Sequence, residues 1–585
     1  MERAKKKINM SKFTVTETIT DDNQPVFNEK KTIAIVFDGE IYNSKALKEE
    51  LIIDEQDFSD AKIVMRAYEQ WGIELLLHKL DGAFAFSIHD ITNEIRYIAR
   101  DKFGIKPLYY FQDETGFYAA STLKLLSKNT FPKIISNEGL NLFLSLSYIP
   151  APYTIYENVF KLPAGNYITI QNDNVAIKAY YRLEDHIKPS TLTFEQAKEK
   201  LKQMVVDSVK NCMESDSPTG AFLSGGIDSS VVVGLMSQYA QKPVPTFSIG
   251  FNKKEYDESA RSQLVSNTFK TNHTVHFLDY ADIMPVLDDI IDYFDEPYGD
   301  SSAIPSYYVA KLASEKIKVV LTGDCSDELF GGYPKYLSEY YTKKYIGIPK
   351  PVRYLFEKTI GLLPNELERI SSLRKMKKLL TYIVDSKFEY FYKSMCLGCT
   401  DKVRTQLVLP EFYADIRPVL EKTYNSFIGN DEVNKAMFTD ISISLEGDMF
   451  PKMERMCRMN SLISRSPFSS ADIVNFAVSL PSAYKVNDKK TKYIIREAFK
   501  DLLPAKVFTY GKRGFRVPVA YWLKNELKQD LFNLLSKDKV IKQGIFNANV
   551  LSDLVEQYIK GKVDNSPLLW NLFVFQKWYG KNMQV

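Results

Sequence analysis

The stretch Leu223-Ser224-Gly225-Gly226-Ile227-Asp228-Ser229-Ser230 constrains the fold more than any other part of this chain. A short apolar run, Ala221-Phe222-Leu223, leads into paired glycines, and an apolar helical pattern begins near Asp228. Glycines between a strand and a helix let backbone N–H groups converge on an anion, and the helix N-terminus adds positive potential. Ser224, Ser229 and Ser230 add hydroxyl donors. The Asp228 carboxylate suits a Mg²⁺ ion bridging phosphates, because hard cations take oxygen ligands. The loop is not GxxxxGK[ST], so it does not announce the β,γ-cleaving chemistry of a P-loop. It does demand a strand–turn–helix unit.

The flanking pattern supplies more such units. Strands are expected at Val244 to Ile249, Thr274 to Phe277 and Lys318 to Leu321, with helices after Tyr256, from Ile283 to Phe294 and after Ala303. Strands alternating with helices of that length imply an α/β fold with a parallel, doubly wound sheet. Beyond about Tyr340 the pattern is mostly helical. From Thr32 to about Ile170 the rhythm differs. Short apolar runs such as Ala83-Phe84-Ala85-Phe86 and Tyr109-Tyr110-Phe111 alternate with turn residues, with a helix near Asp60 to Trp71. That is a β-rich region. A chain of 585 residues exceeds what one core supports, so two domains are expected, 1–180 and 190–585, meeting between Ile170 and Thr193.

Charge and cysteine content narrow the partners. With 76 basic against 73 acidic residues the net charge is +3, which gives no push toward nucleic acid or a membrane surface. The Lys5-Lys6-Lys7 run reads as a solvated terminus. No apolar run reaches the roughly 18 residues of a membrane span. Five scattered cysteines without a signal peptide indicate a reducing, cytoplasmic setting, and Cys396 and Cys399 have no second pair at zinc-ligand spacing.

The Ser224–Ser230 loop resembles the pyrophosphate-binding loop of ATP-pyrophosphatases, which cleave ATP between its α and β phosphates and adenylate a substrate. Further segments narrow the resemblance to asparagine synthetases. Thr246-Phe247-Ser248-Ile249-Gly250-Phe251 looks like the family strand that lies against the adenosine, with Tyr256-Asp257-Glu258-Ser259 behind it. Asp295-Glu296-Pro297 with Asp300-Ser301-Ser302 resembles the DEP…DSS segment. Thr322-Gly323-Asp324-Cys325-Ser326-Asp327-Glu328-Leu329-Phe330-Gly331-Gly332-Tyr333 looks like SG[DE]GxDELFGGY, and Lys492-Tyr493-Ile494-Ile495-Arg496 like KYxLR. Gly514-Phe515, Pro518 and Trp522 match GFxxPxxxW.

The resemblance implies an ATP- and Mg²⁺-dependent ligase that adenylates a carboxylate, aspartate by default, and transfers ammonia to it. Leu223, Ser224, Gly225, Gly226, Asp228, Ser229, Ser230, Ser248, Ile249, Thr322 and Gly323 would then contact ATP. Asp228 and Asp327 would hold the metal, Lys492 would stabilise charge on the reacting groups, and Asp324 would assist ammonia deprotonation. A homodimer is compatible with this reading.

Gln24-Pro25, Phe37-Asp38-Gly39-Glu40-Ile41-Tyr42-Asn43 and Arg100-Asp101-Lys102-Phe103-Gly104-Ile105-Lys106-Pro107-Leu108-Tyr109 resemble the family's N-terminal glutaminase, an Ntn-hydrolase-like αββα domain, here truncated. The resemblance makes Asp38, Gly39, Glu40 and Asp60 the remnant of a glutamine pocket. The family's nucleophile is an N-terminal cysteine, whereas this chain begins Met1-Glu2-Arg3 and first shows a cysteine at Cys212. The family's FNGEIYN is FDGEIYN here, so Asp38 replaces an oxyanion-hole amide. A carboxylate there repels the developing charge, and one lost donor costs roughly 10²–10³ in rate. Lys62 also stands where a Glu is usual. Loss of glutaminase activity is therefore expected, with free ammonia or a separate glutaminase as nitrogen source.

One segment bears on the acceptor. The family's DRMSMAxSLExRVPFLD reads Glu454-Arg455-Met456-Cys457-Arg458-Met459-Asn460-Ser461-Leu462-Ile463-Ser464-Arg465-Ser466-Pro467-Phe468-Ser469-Ser470 here. The change reads either as drift in a helical scaffold or as an altered substrate pocket. The second reading allows a tailoring ligase similar to β-lactam synthetase. A third alternative, a catalytically silent nucleotide- or protein-binding partner, is opposed by the joint presence of Asp228, Asp327 and Lys492.

Overall fold

The computed structural model describes residues 24–53, 59–127, 131–172, 174–215, 217–252, 257–337, 340–341, 345, 347–349, 351–353, 387–511, 514 and 517–583. The chain start with its lysine run, Tyr256 and Phe515 lie outside the described residues.

The first unit is built on an antiparallel six-stranded sheet. Its strands are β1 (Val26–Phe27), β2 (Ile33–Ile41), β3 (Gly82–Asp90), β4 (Ile95–Arg100), β8 (Asn166–Gln171) and β9 (Asn174–Ala179), in the order β1-β2-β3-β4-β8-β9. A smaller sheet of β5 (Tyr109–Asp113), β6 (Gly116–Ala120) and β7 (Phe160–Lys161) runs in the order β6-β5-β7. Every residue of β3 is buried, so both of its faces are covered. Successive side chains of a strand point to opposite faces. Phe84, Phe86 and Ile88 accordingly share a core with helix α1 (Asp60–Lys79), while Ala85 packs with Leu108, Phe117 and Leu162. Helix α1 runs past the expected end at Trp71, because Gly72 takes φ 72° and kinks the helix without ending it.

The second unit is a parallel five-stranded sheet. It comprises β10 (Thr219–Phe222), β11 (Pro245–Phe251), β12 (Asn272–Leu278), β13 (Val319–Leu321) and β14 (Ile463–Arg465), ordered β12-β11-β10-β13-β14. Helix α2 (Ile227–Tyr239) packs beside it with Val231, Val232 and Val233 all buried. β-branched residues are mediocre helix formers, so this helix depends on burial, at about 25 cal/mol per Å² of apolar surface removed from water.

Four of the five strands match the expected positions. The fifth, β14, falls inside the segment read as helical scaffold. That segment is a helix, α3 (Phe450–Met459), followed by a three-residue strand whose backbone bonds go to β13. Three residues carry no readable periodicity. No helix among the described residues is long and apolar enough to cross a membrane.

Candidate active site

The parallel sheet reverses its order at β10: β11 and β12 lie to one side, β13 and β14 to the other. In such sheets, ligands bind outside the carboxyl ends of the strands at that switch point. The Ser224–Ser230 loop opens there. Gly225 has φ 74°, and a Cβ on it would come within 2.4 Å of the Arg261 backbone, so only glycine fits. Gly226 caps α2, which leaves its first amide groups facing the crevice. Ser224 and Ser229 share a hydroxyl–hydroxyl bond of 3.0 Å, and Ser230 Oγ is buried with no hydrogen-bond partner.

Three distant segments meet at Asp228. Its Oδ2 accepts from Lys492 Nζ, and Lys492 also lies 2.7 Å from Asp327 Oδ1. All three side chains are buried, with Lys492 only 4% exposed. Asp228 Oδ1 has no hydrogen-bond partner, and neither has Ser326 Oγ nearby in sequence to Asp327. Two carboxylates around one ammonium leave one negative charge in excess, and a buried excess of that kind asks for a further cation. The donor set therefore fits a hard divalent ion.

Backbone strain helps to assemble the cluster. Lys492 has φ 55° and precedes the short helix Tyr493–Ala498, while Cys325 has φ 75° and precedes Ser326–Phe330. Each left-handed non-glycine residue costs on the order of 1–3 kcal/mol. Cys325 stands at a glycine of the family pattern, a departure that sequence reading passed over. Gly332 is required by proximity, since a Cβ there would lie 1.7 Å from Asp327 Oδ1 and 2.3 Å from Lys492 Cε.

Thr322 and Asp324 stand at the end of β13. Thr322 Oγ1 donates to Asp324 Oδ2 at 2.8 Å, and Ser466 Oγ donates to the Asp324 carbonyl at 2.8 Å. Gly323 packs directly against Asp228 and the Ser229 amide. Ser248 bonds to Ser262 (3.1 Å) and His273 (3.1 Å), and Ile249 is buried beside it on β11. Burial lowers the His273 pKa, so the ring meets these hydroxyls neutral. Leu223, at the end of β10, is buried.

A neighbouring cluster has no counterpart in the sequence-based site. Lys452 Nζ lies 2.7 Å from Asp300 Oδ2, and Asp300 Oδ2 accepts from Ser302 Oγ at 2.7 Å. Asp448, one helical turn before Lys452, accepts from Tyr298 Oη, and burial, aided by Asp300, pushes its pKa up to about 7. Asp324 contributes to the field that holds Lys452 protonated. The i, i+4 spacing of Asp448 and Lys452 was the available signal.

The residues expected as a glutamine-pocket remnant are all engaged. Asp38 pairs with Arg458 (2.6 Å) and Lys106 (3.6 Å). Burial raises the Asp38 pKa, but the two cations outweigh it and hold the carboxyl below its ordinary value. Gly39 lies opposite Phe84 in the β2–β3 ladder. Glu40 forms a two-bond fork with Arg465, at 2.8 and 2.9 Å. Asp60 Oδ2 accepts the Ile41 amide at 2.8 Å, and burial raises its pKa. The Arg100–Tyr109 motif is held by Asp101, whose fully buried carboxylate accepts the amides of Phe103, Ile105 and Lys106. That turn aims Lys106 at Asp38 and at Glu454, 2.8 Å away.

Comparison with known proteins agrees with this geometry. The family described as "Asparagine synthase" matches residues 200–580, and the one described as "Glutamine amidotransferase domain" matches residues 5–181. The chain is thus an ATP-dependent carbon–nitrogen ligase with an amidotransferase-like module in front. It belongs to the asparagine synthetase family. It is 30% identical over 575 residues to "Asparagine synthetase [glutamine-hydrolyzing] 1" of Bacillus subtilis, covering 97% of this chain and 88% of that protein. "Putative asparagine synthetase [glutamine-hydrolyzing] 2" of Methanocaldococcus jannaschii is 34% identical, over 66% of this chain and 73% of its own. "Amidase chyE" of Penicillium rubens is 22% identical, over 93% of this chain and 86% of its own.

Proposed function

We propose that this chain adenylates the side-chain carboxylate of aspartate and transfers free ammonia to it, without hydrolysing glutamine itself. The observation that carries the ligase half is the buried cluster of Lys492 with Asp228 and Asp327 at the strand ends, beside the Ser224–Ser230 loop. Leu223, Ser248, Ile249, Thr322 and Gly323 line the approach to that loop on this reading, and the α2 N-terminus with Ser224, Ser229 and Ser230 receives the departing pyrophosphate. Asp228 and Asp327 would hold Mg²⁺, which supplies charge neutralisation on the phosphates. Lys492 offsets negative charge as the acceptor carboxylate attacks the α-phosphate. Asp324 would take a proton from ammonia attacking the acyl-adenylate.

Loss of glutaminase activity is supported by the fate of Asp38, Glu40 and Asp60. A carboxylate locked to Arg458 cannot donate to an oxyanion, and the other two are held by Arg465 and the Ile41 amide. Nitrogen then comes from ammonia or from a separate glutaminase. For the acceptor, three of the departures in the 454–470 segment face the amidotransferase module: Glu454 meets Lys106, Arg458 meets Asp38, and Ser470 meets Asp81. That supports aspartate. Ser466, bonded to the Asp324 loop where the family has a valine, favours instead a ligase with a changed acceptor, of the tailoring kind.

A pyrophosphate-release assay with ATP and Mg²⁺ separates these readings. Aspartate with ammonium gives pyrophosphate and asparagine, and glutamine in place of ammonium does not. Equal turnover with glutamine overturns the loss of glutaminase activity. No turnover with aspartate under any nitrogen source overturns the acceptor and leaves the changed-acceptor reading.

A further inference from the structure

We propose that Asp38 and Arg458 are a matched pair of replacements that form an ionic latch, and that the latch positions helix α3 for ammonia transfer. At position 38 the family pattern has asparagine and at 458 methionine, both neutral. Here the two positions carry opposite charges and meet at 2.6 Å across the boundary between the modules. Either change alone would place an uncompensated charge at a site where the Asp38 side chain is only 9% exposed. Together with Lys106 and Glu454 they make a neutral quartet. Lys106 reaches Asp38 at 3.6 Å and Glu454 at 2.8 Å, and Arg458 reaches back to Glu454 at 3.5 Å.

The quartet bears on the ligase because of what else α3 carries. Six residues before Arg458, about 9 Å along the axis, Lys452 pairs with Asp300 beside the Asp324 loop. Between them Arg455 donates to the Tyr293 carbonyl (2.5 Å) and to Tyr109 Oη (2.8 Å), and lies 3.5 Å from Asp295. One short helix is thereby tied at one end to strand β2 and at the other to the DEP…DSS segment. A change in its axial position at Arg458 is carried to Lys452 by a rigid helical backbone. The position that formed an oxyanion hole in the family serves here to set the register of α3, so Asp38 and Arg458 act as positioning residues through Lys452.

The activity readout rests on the ammonia-ligase reading above; the unfolding readout does not. The test compares the full chain with its Asp38→Asn, Arg458→Met and Asp38→Asn/Arg458→Met variants, measuring ammonium-driven pyrophosphate release and the thermal unfolding midpoint. Arg458→Met is expected to raise the KM for ammonium or aspartate about tenfold with kcat less affected, and to lower the midpoint. The double variant, which restores the family's neutral pair, is expected to be closer to wild type than Arg458→Met in both. Arg458→Lys is expected to retain most of the KM. If the double variant's losses equal the product of the single losses, there is no latch. If midpoints move and KM does not, the pair is only a structural contact and the positioning role is overturned. Should Arg458→Met fail to fold, Asp38→Asn and Arg458→Lys give the same discrimination. If wild type lacks ammonium-driven turnover altogether, the proposed function has failed, and recovery of the midpoint in the double variant still decides the latch.

Discussion

Lys492 and Asp228, 264 residues apart in the chain, meet in a buried ion pair, with Asp327 as a second carboxylate on the same ammonium. The pair joins the first turn of α2 to the left-handed turn before Tyr493. It thus ties the Ser224–Ser230 loop to the turn that carries Lys492.

Replacing Lys492 by Met should lower the rate of pyrophosphate release by roughly 10²–10³. It should also reduce stability, because Asp228 and Asp327 then face each other without the ammonium. Lys492→Arg should not rescue the rate, since a planar guanidinium does not fit a point-charge site. Steady-state kinetics and thermal unfolding on the same preparations check both effects. Near-normal turnover in Lys492→Met would refute the assigned role.

Arg465 is expected to be intolerant of lysine. Its guanidinium makes the fork to Glu40 and donates to the Cys212 and Glu214 carbonyls, at 2.9 and 2.8 Å. An ammonium cannot reproduce four such bonds. Arg465→Lys should therefore cost about 1–3 kcal/mol, read as a lower urea midpoint. An unchanged midpoint would show that the Glu40 fork does not stabilise the junction of the modules.

The Asp38–Arg458 pair should show its own pH dependence. The folded Asp38 carboxyl is held below its ordinary value of 3.8, the cations outweighing burial. A depressed carboxyl contributes stability that is present above the unfolded value and is lost as pH falls through the folded one. The stability difference between wild type and Arg458→Met should hold steady from pH 7 down to about 5 and shrink below about pH 4. Midpoints of denaturant unfolding across that range measure it. A difference that grows on acidification would contradict the pairing.

What was legible in the sequence was local. The Ser224–Ser230 loop announced itself because glycines, serines and an aspartate are packed between a strand pattern and a helix pattern, and β10 and α2 lie where those patterns put them. Asp38 and Arg458 were each visible as departures from a family pattern. Their contact, across 420 residues of chain, was not, because nothing in a linear pattern encodes which distant strand a helix meets. The same holds for β14, whose three residues are a strand only because β13 offers its edge. Lys452 and Asp448 were missed for another reason. A charged pair at i, i+4 on a helix reads as a solvated face, and only the packing of α3 and of the segment Asp440–Met449 before it turns Lys452 inward.

A last prediction concerns a buried group outside the Lys492–Asp228–Asp327 cluster. Lys485 is 2% exposed, its Nζ donates to Asn434 Oδ1 at 2.8 Å, and burial pushes its pKa down to about 7, against which the more distant Asp431 works only partly. The unfolded lysine titrates at 10.5, so the unfolded chain binds this proton more tightly than the folded one. Stability must then fall as pH drops from 10.5 toward 7 and level off below, because a depressed lysine penalises the folded state wherever the free side chain is charged. Replacing Lys485 by Met keeps the apolar stem and removes the penalty, at the cost of one hydrogen bond to Asn434. The variant should be more stable than wild type at pH 6 and gain less at pH 9, as read by urea midpoints at the two values. A Met variant that is less stable at pH 6 would show that the bond to Asn434 and the field of Asp431 outweigh the desolvation of the ammonium.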